Sequence, residues 1–159
     1  MFTASADQTV RMWELQTGTE LFQFRQQEPC RACNLSVGEG MLAFTTDAFM
    51  GTQSMIHIVK LEQDIQDQSA KSILSIECPK GRITRVYWSE LNRALVTSHD
   101  GGFLRKWDSE VGVSLFDKPM QYQTKEESDY HIFIQIIDWK DVVGGKGPRG
   151  CNPGLATGS

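Results

Sequence analysis

The sequence predicts an all-β protein made of short antiparallel strands in repeating sets of four. Runs rich in β-branched and aromatic residues recur every 8–12 positions, separated by Gly, Asp, Asn and Pro. Helical periodicity is not sustained anywhere. The chain also repeats itself: "FTASADQTVRMWELQTGTELF" from residue 2 lies over "LVTSHDGGFLRKWDSEVGVSLF" from residue 95. Thr3 falls on Thr97, Arg11 on Arg105, Trp13 on Trp107, Gly18 on Gly112 and Phe22 on Phe116, each pair 94 positions apart. That offset suits two repeat units of about 40–45 residues plus insertions.

The elements follow in order. Residues 2–15 read as a hairpin around the turn at Asp7, with its strand at 9–15, and "ELFQFR" gives the next at 20–25. Strands are then expected at 31–37, 41–46 and 54–61, where "MLAFTTDAF" and "SMIHIVKL" form an intermediate, divergent copy with Ile58 near the tryptophan slot. A polar loop, "EQDIQDQSAK" at 62–71, precedes strands at 72–77, 83–89, 93–98, 103–108 and 113–117.

Short strands in fours, with a Trp-acid pair closing a set, are the signature of WD40-type β-propellers. The expected architecture is a propeller fragment of about two and a half to three blades, with antiparallel four-stranded sheets. It occupies residues 1–120, in segments of about 1–19, 20–61 and 72–109. Residues 121–159 read as a divergent, partly disordered tail, crowded with Gly and Pro at its end. In such blades a turn Asp, a strand Ser or Thr and a Trp share a hydrogen-bonded lock, completed by a histidine from the preceding loop. Buried polar groups must find partners, so the set fixes blade geometry. Ser5, Asp7 and Trp13 are candidates in the first copy; Ser98, Asp100 and Trp107 are candidates in the last. The last lock is expected to be incomplete, because "CPKGR" stands where Gly-His belongs. A partial array leaves blade faces and strand edges open, so the chain alone is expected to be marginal or self-associating.

Composition excludes several function classes. The net charge of −4 and pI near 5.4 speak against direct DNA binding through phosphate neutralisation. No basic start followed by an apolar run marks a secretory signal. "IFIQII" at 132–137 is too short to cross a bilayer. A cytoplasmic location with reduced cysteines is the expectation, which makes the sequon Asn34-Leu35-Ser36 incidental. Cys30 and Cys33 have Cys-x-x-Cys spacing without a second pair, and positions three apart in a strand point to opposite faces. Two ordinary cysteines are therefore preferred over zinc or redox chemistry. "KDVVGGKG" at 140–147 lacks the first Gly and the final Ser or Thr of a phosphate loop. His57, His99 and His131 lack metal spacing, and Glu62, Asp64 and Asp67 read as a solvated loop. No catalytic, cofactor or metal residue is expected. Trp13, Tyr87, Trp88 and Trp107 are read as core, and Asp47, Phe49 and His99 as possible partner contacts, with Phe49 the aromatic expected to be exposed.

Four stretches carry a resemblance: "SADQTVRMWELQTGTELFQF", "LAFTTDAFMGTQSMIHI", "CPKGRITRVYWSELN" and "LVTSHDGGFLRKWD". They resemble subunit I of eukaryotic translation initiation factor 3, with a middle blade like plant members, over roughly residues 2 to 117. The match ends there, as in a truncated product or incomplete gene model. The resemblance implies a non-enzymatic scaffold within the factor, binding subunits b and g and acting indirectly on the small ribosomal subunit during mRNA recruitment and scanning. A WD-repeat signalling adaptor and a non-functional fragment are the alternatives.

Overall fold

The computed structural model describes residues 1–79, 81–89 and 91–119. Among these residues eleven strands run in order: β1 (Phe2–Ser5), β2 (Thr9–Trp13), β3 (Glu20–Arg25), β4 (Cys30–Leu35), β5 (Met41–Thr46), β6 (Ser54–Lys60), β7 (Leu74–Cys78), β8 (Ile83–Trp88), β9 (Ala94–His99), β10 (Phe103–Asp108) and β11 (Ser114–Pro119). No α-helix occurs among the described residues; a single 3₁₀ turn, Ile65–Asp67, sits in the polar loop, where the Asp64 side chain accepts from the Gln66 N–H. The strands form three antiparallel sheets, β1-β2-β3, β4-β5-β6-β7 and β8-β9-β10-β11. This is a partial WD40-type β-propeller. β1 is the first arm of the hairpin read at residues 2–15, where bounds were given for the second arm alone.

The sheets are offset from the sequence segments. β3 falls in segment 20–61 yet hydrogen-bonds to β2, and β11 lies past 109 yet completes the third sheet. A blade's outermost strand thus belongs in sequence to the start of the next repeat. The 94-residue echo survives in register: Thr3 pairs with Arg11 and Thr97 with Arg105. Both tryptophans also follow a bulge against the outer strand, at Met12/Trp13 and Lys106/Trp107.

Alternation along β5 builds two cores, because successive side chains leave opposite faces of a strand. Leu42 and Phe44 join Val10, Phe24 and Val59 against the first sheet. Ala43 joins Ile56, Ile58, Ile76, Val86, Leu95 and Trp107 against the third. The middle sheet is therefore apolar on both faces, as the continuous run "MIHIV" requires.

At one end of the sheets, two asparagines tie the second and third blades together. Asn34 Oδ1 accepts from the Trp88 N–H at 3.1 Å, and the Trp88 indole donates to the Asn34 carbonyl at 3.1 Å. Asn92 accepts from the Val37 N–H at 2.8 Å and donates to its carbonyl at 2.7 Å. Asn92 holds this grip in the left-handed region, φ 55°, which Asn tolerates better than Ala. Asn92→Ala is expected to cost about 1–2 kcal/mol in urea denaturation, through two lost hydrogen bonds and the backbone. Asn92→Gly should recover only the backbone share; equal midpoints for both variants and the parent would show that the grip contributes nothing.

Candidate functional site

The end of the sheets opposite the asparagine ties carries the β1–β2, β5–β6 and β9–β10 turns and the β3–β4 and β7–β8 connections. It holds the residues singled out in the sequence, and just inside it lies the lock. In the third blade the Trp107 indole donates to Thr97 Oγ1 at 2.9 Å, and Thr97 Oγ1 meets His99 Nε2 at 2.9 Å. His99 stacks on Phe103 with centroids 4.6 Å apart. The Arg105 guanidinium lies 4.8 Å over Phe103 and 5.9 Å from the Trp107 ring, and bonds Asp117 at 2.7 Å. The turn between them must be glycine-rich: a Cβ at Gly101 would sit 2.8 Å from the Phe103 ring.

The serines and aspartates expected in the lock are not on the tryptophans. In the first blade the Trp13 indole donates to Thr3 at 2.8 Å, while the Ser5 hydroxyl accepts from the Asp7 N–H at 3.3 Å. Asp7 collects the Thr9 N–H and hydroxyl and the Arg11 guanidinium. In the third, Ser98 Oγ pairs with Thr84 Oγ1 at 2.8 Å, and Asp100 accepts from the Arg82 N–H at 3.0 Å. Ser and Thr exchange roles because their side chains leave opposite faces: Thr97 shares a face with Trp107, and Ser98 does not. Sequence reasoning missed Thr3 and Thr97 as the tryptophans' acceptors, although their 94-residue echo was legible. The histidine was expected from a preceding loop; His99 comes from the threonine's own strand.

In the middle blade the lock is apolar. Counted inward from the hairpin end, Val59 occupies the tryptophan's register and Phe44 the threonine's. This corrects Ile58, which faces the other core. The loop at 47–53 lengthens that hairpin, so a count along the chain slips by one. His57 lies flat on Phe44 at 5.1 Å and bridges Thr46 (3.3 Å) and Ser75 (3.1 Å). Burial pushes both His57 and His99 down to about 4, with the Arg105 charge a second cause at His99.

Of the three partner-contact residues, His99 is 2% exposed and walled in by Thr97, Phe103 and Arg105, so it offers no surface to a partner. Asp47 is clamped by Arg31, whose Nε and Nη2 reach it at 2.8 and 2.5 Å. Phe49 is exposed, next to the fully solvated Met50. Its backbone is held by Thr52, which donates to the Phe49 carbonyl at 2.6 Å. Behind this loop lies an open cleft of about 280 Å³ lined by Asp47, Thr52, Gln53, Pro79, Gly81 and Arg82.

The cysteine pair departs from its expectation. A bulge between Cys30 and Ala32 breaks the alternation of β4, and both Cys30 and Cys33 join the core shared with the first sheet. Burial drives the thiols up, Cys30 and Cys78 to about 12, so neither forms the reactive thiolate at neutral pH. Iodoacetamide at pH 8, followed by peptide mapping, is expected to leave Cys30 and Cys78 unmodified until urea is added; labelling of either in the native chain would contradict its burial. Among the described residues, no three His, Cys, Asp or Glu side chains gather around a metal-sized space, and no helix is long and apolar enough to cross a membrane. Cys151, His131 and the expectations for 121–159 lie outside the described residues.

No family model matches the chain. It is similar to subunit I of eukaryotic translation initiation factor 3. Against the Bos taurus protein of that name it is 29% identical over 115 residues, 72% of this chain and 35% of the relative. Against the Taeniopygia guttata protein it is 26% identical over 129 residues, and against the Danio rerio protein 26% over 136 residues, 86% of this chain and 41% of the relative. The chain thus spans well under half the length of the curated relatives it matches.

Proposed function

We propose that the chain is a non-catalytic WD-repeat scaffold that works within translation initiation factor 3 in the cytoplasm, docking other subunits, b and g among them, and so supporting mRNA recruitment and scanning on the small ribosomal subunit. The observation that carries this reading is the similarity to subunit I across 72–86% of the chain. The site geometry supports it: Phe44, Phe103 and the two histidines at the blade ends are spent on internal stacking, and those buried histidines stay neutral near pH 7. What remains outward is the loop surface with Phe49, Met50 and the cleft, a docking surface with no converging acid, base and nucleophile among the described residues.

The test is to express the tagged chain in eukaryotic cells and identify what co-purifies. Initiation factor 3 subunits are expected, at levels reduced by Phe49→Ala if the loop surface is used. Recovery of chaperones alone, beside a full-length subunit I that recovers the complex, would overturn the proposal.

A further inference from the structure

The end of the sheets that carries the asparagine ties also carries exposed aliphatic side chains. Val37 in the β4–β5 turn, Leu91 in the β8–β9 turn and Val111 in the β10–β11 turn are 62%, 76% and 68% exposed. A single exposed aliphatic residue is ordinary on a protein surface. These three are not independent, because hydrogen bonds join the turns that bear them. Asn92, the neighbour of Leu91, holds both the N–H and the carbonyl of Val37. Its own carbonyl accepts from the Ser109 hydroxyl at 2.7 Å, and the Arg93 carbonyl accepts from the Ser109 N–H at 3.2 Å. Asp108 then receives the Glu110 and Val111 N–H groups at 2.8 and 3.0 Å, which fixes the backbone of Val111. Gly112 seats the same turn on the middle blade: a Cβ there would lie 3.1 Å from Ile76 and 3.4 Å from Leu74. The three turns belong to the middle and third blades, which share one core. Their aliphatic tips are therefore held in place before any partner arrives, and docking on them loses little ordering entropy.

Charge decides the occupant. Between the strands that these turns connect, the sequence supplies Glu39, Glu90 and Glu110 against one cation, Arg93. Glu39 and Glu110 are exposed, and neither enters an ion pair among the described residues. Acids beside aliphatic tips repel nucleic-acid phosphates and anionic lipid headgroups. They also repel a second copy of this chain, whose net charge is −4. What they attract is lysine and arginine.

We propose that the β4–β5, β8–β9 and β10–β11 turns form a docking surface for a basic amphipathic segment of a partner polypeptide. Its aliphatic side chains rest on Val37, Leu91 and Val111, and its Lys or Arg side chains face Glu39 and Glu110. The apolar contact supplies affinity, and the carboxylates supply encounter rate and selection for a basic partner. The surface lies at the opposite end of the sheets from Phe49 and stands independently of the initiation-factor reading.

The probe is a synthetic helical peptide of about 14 residues, made of leucine and lysine with the leucines at i, i+3, i+4 and i+7. A leucine–glutamate peptide of the same spacing is the control. Titrated into the isotope-labelled full chain at low salt, the lysine peptide is expected to shift the amide NMR signals of Val37, Leu91, Asn92 and Val111. The signals of Phe49 and Met50 should stay in place, and the glutamate peptide should not bind. Leu91→Ser is expected to weaken binding at least tenfold with the same urea midpoint, because the Leu91 side chain is mostly in solvent. Glu39→Gln combined with Glu110→Gln should weaken it at least fivefold at low salt, and by much less in about 0.5 M salt, where charge is screened. Equal binding by the parent and Leu91→Ser, equal binding of the two peptides, or shifts centred on another surface would overturn the proposal. A photo-crosslinking residue in place of Leu91 extends the test to cells: cross-links to basic segments of another polypeptide are expected. Cross-links confined to lipid, RNA or a second copy of the chain would also overturn it.

Discussion

Trp107→Ala is expected to remove about 3–5 kcal/mol of stability, a large part of what a domain of this size holds. Trp107 is 4% exposed and belongs to a core that joins Leu95 and Val86 of its own blade to Ala43, Ile56 and Ile58 of the middle one. Truncation leaves a cavity across a blade interface that two stiff sheets cannot easily close. It also strips Thr97 of its indole donor, although Thr97 keeps His99 as a partner. Two companion variants separate these effects. Trp107→Phe retains most of the packing and loses the hydrogen bond, a change of about 1 kcal/mol from that bond plus a smaller packing loss. Trp13→Ala removes the equivalent residue with the same threonine bond, but Trp13 is only half-buried, because no described sheet covers that face of the first blade. Its cost is expected to be less than half that of Trp107→Ala. Urea unfolding followed by far-ultraviolet circular dichroism reads all three, and equal midpoints for Trp13→Ala and Trp107→Ala would refute the account of the blade interface.

That contrast also shows what the sequence could and could not reveal. The pairing of Thr with Trp was present in plain letters at 3/13 and 97/107, since each partner recurs 94 positions on. Ser5 and Ser98 attracted attention because they stand next to the turn aspartates, yet a strand sends neighbours to opposite faces, and only the pleat decides which hydroxyl the indole meets. The bulge in β4 was illegible for a related reason. It is a backbone event at Arg31, and it carries Cys33 to the face that strict alternation denied it. Val59 was hidden by the long loop before β6, which shifts the chain count while leaving the ladder register intact. The hairpin at the start was legible, but the half-exposure of β1 becomes visible only when its residues are set beside those of buried β9.

Between pH 7 and pH 5 the chain is expected to lose about 4 kcal/mol of stability, nearly all of it through two side chains. His57 and His99 are 7% and 2% exposed, and burial lowers both from the ordinary 6.5 to about 4. Their folded-state values lie below the unfolded ones, so the unfolded chain binds more protons throughout this interval, and stability rises with pH. The contribution is complete above about 6.5 and disappears as pH falls toward about 4. At pH 5 the loss is about 2 kcal/mol per histidine. The physical causes differ. His57 is flanked by the Thr46 and Ser75 hydroxyls and the Phe44 ring, with burial alone opposing its charge. His99 faces Arg105, whose charge repels a second cation, while the Gly81 backbone, Asp117 and Asp100 favour protonation without outweighing burial. The carboxylates act in a separate window. The Thr9 side chain holds Asp7 below its usual value, and the backbone N–H groups of Val111 and Glu110 do the same for Asp108; any stability they supply is lost only as pH drops below about 4. Urea midpoints at pH 7, 6 and 5 measure the histidine term. His57→Gln and His99→Gln, compared by their own slopes so that a changed baseline does not matter, should each flatten the pH dependence by about half. A midpoint constant from pH 7 to pH 5, or a slope untouched in both variants, would mean that the two rings meet solvent and that the blade ends are not packed as described.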